Sequence, residues 1–249
     1  MKALLVATVF LTRLPLPVAA GAADVGRAAR WFPLVGAGLG VVAALAATGM
    51  ARIPSLPPVL GALLLVGAGA WVTGAIHLDG LADTADGFGG GRTRDDILRI
   101  MRDPVIGSFG AIALLLVMGL KVGALATLLE RQTAATVLVT APTLSRWTIV
   151  ALSAWLPYAR PEGGLGEAVT GHGRVSALVW ATAVTALVTL MAVAAQGLTL
   201  WACAVVVMAA LGFTALRRIH GVTGDVLGAS VELTETTVLV AAVLLSGPP

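Results

Sequence analysis

Residues 77–91 read HLDGLADTADGFGGG and place Asp79, Asp83 and Asp86 directly after LGALLLVGAGAWVTGAI, a run without a charge. On a helix, 100° per residue puts the three carboxylates within an arc of about 60°, a single stripe. Like charges this close repel unless a cation sits between them, and hard oxygen ligands suit Mg²⁺, with Mn²⁺ as the alternative. A solvated turn closing the apolar run is the competing reading, because Asp-Gly and Gly-Gly-Gly are ordinary loop signals. The metal reading outweighs it, since acids at a membrane edge are costly and usually functional. His77 is either an outer partner of such a site or a satisfied core histidine.

A second acidic group lies in RRIHGVTGDVLGASVELTETTVL, from Arg217 onward. On one helix Asp225, Glu232 and Glu235 fall within about 80°, again a stripe running into an apolar span. Asp225 would also suit a helix N-terminus through the dipole, and Gly221, Gly224 and Gly228 are places where the helix could break. Between the two groups, GRTRDDILRIMRDPVIGSFG carries Arg92, Arg94, Arg99 and Arg102, with Asp103 before Pro104. Arginines beside a carboxylate-bound metal suit a polyanionic phosphate substrate, although membrane topology alone also collects arginines in such loops. Arg146, in APTLSRWTIV, is different: a span interior rarely keeps an arginine without a partner, here expected to be a phosphate or a carboxylate. The glycine-rich YARPEGGLGEAVTGHGR, residues 158–174, reads equally as a mobile cover or a flexible connection.

The elements that must position these residues follow from composition. The chain is 58% hydrophobic and 12% charged, with a mean hydropathy of +0.95, against about 25% charged residues in a soluble domain. It is expected to be an all-α integral membrane protein, because backbone polar groups in lipid must be satisfied internally and about 20 apolar residues cross the bilayer core. The spans expected are 31–51, 57–77, 104–127, 133–155, 175–196, 198–216 and 226–246, a polytopic bundle of about seven helices forming one catalytic domain over 1–249. MKALLVATVFL imitates a signal peptide, but Arg13 and the prolines of RLPLP interrupt it, so the segment is expected at the interface or re-entering the bundle. Cys203, the single cysteine, falls inside a span and reads as a small core residue. The pI near 9.7 does not imply nucleic acid, since no basic stripe is interleaved with aromatics.

Positive charge orients the bundle. With the N-terminus cytoplasmic, twelve basic residues (Lys2, Arg13, Arg27, Arg30, Arg92, Arg94, Arg99, Arg102, Arg160, Arg174, Arg217, Arg218) share one side. Only Arg52 and Arg131 stand on the other, with Lys121 and Arg146 inside spans. The arrangement expected is N-in and C-out in the cell inner membrane. Asp79, Asp83, Asp86, Asp95, Asp96, Asp103 and Asp225 then gather at the cytoplasmic face.

With these residues assembled, the chain resembles the adenosylcobinamide-GDP ribazoletransferase, or cobalamin synthase, family. The resemblance runs in order through FLTRLPLP, HLDGLADTADGFGGG, IMRDPVIGSFGAIAL, LSRW, YARPEGGLG and HGVTGDVLGASVELTE. It implies a membrane enzyme that joins adenosylcobinamide-GDP to α-ribazole or its 5′-phosphate, releasing GMP and using Mg²⁺. On that reading Asp79, Asp83, Asp86 and Asp225 are the metal ligands. Asp83, Glu232 and His77 are the catalytic candidates, with Glu232 foremost to accept the proton of the attacking hydroxyl. Arg13, Arg102, Arg146 and Arg160, with Asp103, are the candidates for phosphate or GMP contact. Further copies of the chain or other enzymes of cobalamin biosynthesis are candidate partners besides the bilayer. A CDP-alcohol phosphotransferase is the nearest rival, but such enzymes carry an Ala-Arg pair after the first Asp-Gly, and here LADTAD follows. A cation-coupled secondary transporter is the rival of another class, disfavoured because the acids cluster at one face and no internal repeat is visible.

Overall fold

Long uncharged stretches leave the backbone no partner but itself, so the chain folds as helices. The computed structural model describes residues 2–19, 21–164, 166–170, 175–193 and 196–247. Eleven α-helices occur among them: α1 (Lys2–Leu11), α2 (Ala22–Ala28), α3 (Phe32–Met50), α4 (Pro58–Thr73), α5 (Ile76–Gly90), α6 (Arg94–Ile100), α7 (Ser108–Glu130), α8 (Ala134–Trp155), α9 (Val175–Val193), α10 (Gln196–Ile219) and α11 (Gly224–Leu245). Six helical segments are long and apolar enough to cross a membrane, or up to seven if the bent pair α4–α5 counts as one. Every span expected from hydropathy has its helix, but the second required correction. Instead of running on from residue 57 into the aspartates, it stops at Thr73, and α5 leaves at 89° to it. The fold is otherwise the polytopic helical bundle expected.

The centre of the bundle is α8 with α11. α8 is buried along almost its whole length, whereas α9 and α10 present Leu187, Leu190, Met191, Leu198 and Val206 outward, as a lipid-facing surface should. α3 lies against α8 backbone to backbone, with Gly36 over Pro142 and Gly40 over Leu138. Small residues permit that approach where no hydrophobic effect drives helices together. α1 is too short to cross. Its Val6, Ala7 and Leu11 are buried instead, and Phe10 stacks on Phe32 with centroids 5.5 Å apart. Trp71 and Trp155 stand exposed at the last turns of α4 and α8, where interfacial tryptophans belong.

Arginines sew the loops of one end together. Arg94 donates to the carbonyls of Ala159 (2.5 Å) and Ile219 (3.3 Å), Arg218 to that of Gly91 (2.7 Å), and Arg102 pairs with Glu162. Tyr158 and Val222 form an isolated bridge in the same place. At the opposite end Arg131 caps α11, donating to Val243 O (2.9 Å) and Ser246 Oγ (2.8 Å).

Candidate active site

The site begins at the break between α4 and α5. Gly74 and Ala75 both take left-handed backbone, φ +66° and +57°, and turn the chain through the right angle. Gly74 is favoured by its left-handed backbone, and its lack of a Cβ leaves room for a side chain over the bend. A Cβ there would stand 2.6 Å from Cδ of Arg13, which roofs the bend and is tied to it by Arg13 N–H···O Val72 at 2.8 Å.

From this bend α5 crosses α11 in close contact. A Cβ on Gly80 would lie 2.8 Å from the Asp225 carbonyl oxygen and 3.2 Å from Cα of Gly228, so only glycine allows the approach. The result is that the two acidic stripes meet at their outer ends. Asp79 is exposed and Asp83 half-buried, and Asp83 lies in the field of Asp79, Asp86, Asp225 and Arg160. Asp225 sits in the first turn of α11. Thr223 caps that helix, accepting from Val226 N–H at 3.3 Å and donating to Asp225 Oδ2 at 3.2 Å. Arg160 reaches the same oxygen at 2.5 Å. Asp79, Asp225, Arg160, His77 and Tyr158 line a cavity of about 260 Å³. Burial pushes the Tyr158 phenol up from its usual value.

Asp86 has a different setting. Its two oxygens accept from Gly107 N–H (2.7 Å) and Gly110 N–H (2.9 Å), so it caps the N-terminus of α7 from another helix. This explains why IGSFG follows the aspartate motif: its amides hold the third aspartate.

Seven residues below Asp225, or about 10 Å along α11, lies a second charged group. Lys121 Nζ is 2.6 Å from Glu232 and 3.3 Å from Glu235, and Arg146 Nη1 is 3.2 Å from Glu235 and 2.9 Å from Ser145 Oγ. Arg146 therefore has the carboxylate partner expected of it. Glu232 belongs with Lys121 and not with the aspartates. His77, 5% exposed, lines the outer cavity while lying in the field of Arg146, Glu235 and Lys121.

Of the remaining candidates, Arg160 joins the aspartates. Arg102 is turned to Glu162, and Asp103 is exposed, accepting from Val105 N–H at 3.0 Å. The 158–174 stretch is tied at its start by Tyr158 and packs Val169 inward, while Leu165 and residues 171–174 lie outside the described residues. Lys121 went unrecognised as a site residue. Its signal was the same as that of Arg146, a single cation inside an apolar run.

Among the described residues, no three Asp, Glu, His or Cys side chains converge closely enough to cage a metal ion by themselves. The donor set still fits Mg²⁺, which is commonly held by one or two carboxylates together with substrate phosphates.

The sequence matches the family described as cobalamin-5-phosphate synthase over residues 3–243. Proteins named adenosylcobinamide-GDP ribazoletransferase are similar along nearly the whole chain. That of Pseudomonas paraeruginosa is 43% identical over 248 residues, 98% of each chain. That of Prosthecochloris aestuarii is 43% identical over 226 residues, 89% of this chain and 90% of the relative. The Bradyrhizobium diazoefficiens protein is 40% identical over 241 residues, 95% and 91%. No solved structure matches. The motifs at the bend, at the α7 cap and at the start of α11 thus stand in a chain that belongs to the cobalamin-5-phosphate synthase family.

Proposed function

We propose that the chain joins adenosylcobinamide-GDP to α-ribazole or its 5′-phosphate and releases GMP, at the cavity where α5 meets α11. The observation that carries this reading is an excess of carboxylate: Asp79 and Asp225 line one cavity whose described lining holds Arg160 as its cation, and Asp83 lies in the field of all three. Such a group wants a cation and, through it, a polyanion.

In the reaction a ribazole hydroxyl attacks the phosphorus nearest the cobinamide. A new P–O bond forms, the P–O bond to GMP breaks, and GMP leaves with the electron pair. Asp79 and Asp225, from crossing helices, are the residues that would hold Mg²⁺, and the ion would neutralise the charge that develops on the leaving phosphate. Asp83, between them, accepts the proton of the attacking hydroxyl, the role first considered for Glu232, which is committed to Lys121. Arg160 exchanges Asp225 for a phosphate oxygen when substrate enters, and Arg13 covers the bend from which α5 leaves. Asp86 fixes α5 on α7, and His77 orients the wall behind Asp79.

The site faces the cytoplasm of an inner membrane, with the N-terminus inside and the C-terminus outside. The twelve-to-two distribution of basic residues supports this, as does the sewing of their loops into one end. Purified protein given adenosylcobinamide-GDP, α-ribazole and Mg²⁺ should release GMP, stop on chelation and recover on readdition. No GMP with any divalent ion would sink the reading. A reporter fused at Gly89 should signal from the cytoplasm.

A further inference from the structure

A second cavity, of about 210 Å³, lies between α3, α4, α7, α8 and α11, with Leu78 of α5 at its edge and exposed Val42 at its open side. Its walls are apolar, with Ala43, Leu65, Leu138 and Leu239 among them, and its inner end is the Lys121, Arg146, Glu232 and Glu235 cluster. The side chains of Lys121, Glu232 and Arg146 are 9%, 8% and 5% exposed. Arg146 Nε is buried without a hydrogen-bond partner. Four charges in a membrane interior stabilise less than apolar packing of the same volume would, so their presence at a cavity wall points to a ligand.

We propose that this cavity receives an uncharged bicyclic aromatic base whose ring nitrogen accepts from Arg146. The inference rests on the function proposed above and names the group as the base of the ribazole substrate. Three observations select it. Two cations and two carboxylates sum to zero, so the cavity attracts no ion. It is smaller than a whole ligand pocket of about 300 Å³ or more, so it takes part of a molecule. A corrin ring or a guanine nucleotide diphosphate is excluded by size or charge. Lastly, adjacent residues of α5 face the two cavities, Leu78 the inner and His77 with Asp79 the outer. The inner cluster lies about 10 Å below Asp225 along α11, comparable to the length of a nucleoside. The two cavities share no lining residue, so a base held there would place its sugar toward the aspartates by passing between Leu78 and His77.

The test fills the cavity from the α3 wall by Ala43→Phe. With the intact enzyme in detergent, the KM for α-ribazole should rise at least ~10-fold, while the KM for adenosylcobinamide-GDP and the kcat at saturation stay near the parent values. Equilibrium dialysis with benzimidazole alone provides a second reading that needs no turnover. The parent should bind it saturably, and Ala43→Phe and Arg146→Met should bind it at least ~10-fold more weakly. If the parent releases GMP yet does not bind benzimidazole, or binds it as tightly after Ala43→Phe, the cavity assignment falls and the transferase reading stands. If lipid copurifies in the cavity and benzimidazole cannot displace it, the assignment falls likewise. Absence of GMP from the parent counts against the transferase reading instead, and benzimidazole binding then decides the cavity alone.

Discussion

One stripe of α11 carries two charged regions that solve opposite problems. At its outer end, Asp225 joins Asp79 and Asp83 around one arginine, and negative charge is left over. Two turns deeper, Glu232 and Glu235 meet Lys121 and Arg146, and the charges cancel. An unbalanced group at an open cavity is incomplete until something cationic arrives. A balanced group in the interior calls for no further ion, so what it takes is uncharged, and breaking the balance leaves a buried charge. The same side-chain chemistry thus reads as ion-seeking in one place and as neutral in the other, and the count of partners decides which.

The sharpest way to break this contrast is Asp83→Asn, which keeps shape and removes charge. GMP release should slow at least ~100-fold while the protein still reaches the membrane, the scale expected when a proton acceptor or principal electrostatic contact is lost. Near-normal turnover would take Asp83 out of the chemistry. The inner region should respond in stability. Lys121→Met strands Glu232 and should cost roughly 3–5 kcal/mol, read as a lowered unfolding temperature in detergent. Adding Glu232→Leu leaves the Arg146–Glu235 pair balanced, and most of that loss should return. A double variant no better than the single would mean the four groups do not act as a balanced set. Gly80→Ala tests the contact that brings the stripes together: the overpacking should cost about 1–3 kcal/mol, with a fall in activity larger than any loss in membrane level. The smallest effect is expected from Asp103→Asn, an exposed residue capping its own loop, whose turnover should stay within about twofold of the parent.

Much of this architecture is legible in sequence because membrane helices announce themselves by length and apolarity alone. The two acidic stripes are legible too, since helical spacing fixes which residues share a face. What sequence does not carry is the partner of each stripe. Asp86 shares its arc with Asp79 and Asp83, yet its oxygens go to amides more than twenty residues away, and nothing in 100° steps distinguishes it. Glu232 shares an arc with Asp225, but Lys121 claims it from another helix. The bend is hidden for a local reason. Gly74 follows Gly67 and Gly69 in an otherwise helical run, and Ala75 is a strong helix former that here takes left-handed backbone. Those two residues decide whether the aspartates lie along a span or across one.

The bend has a consequence for the bilayer itself. α4 has 16 residues, about 24 Å of helix, against a hydrocarbon core of about 30 Å. A helix that ends short, followed by one turned at a right angle to it, is mismatched to that core. A bilayer that thins around it would leave the aspartates at the floor of a local depression in the membrane surface. Substrate would then be worked on below the plane of the surrounding headgroups. The enzyme should therefore sense membrane thickness: longer acyl chains deepen the depression and raise the cost of keeping it open.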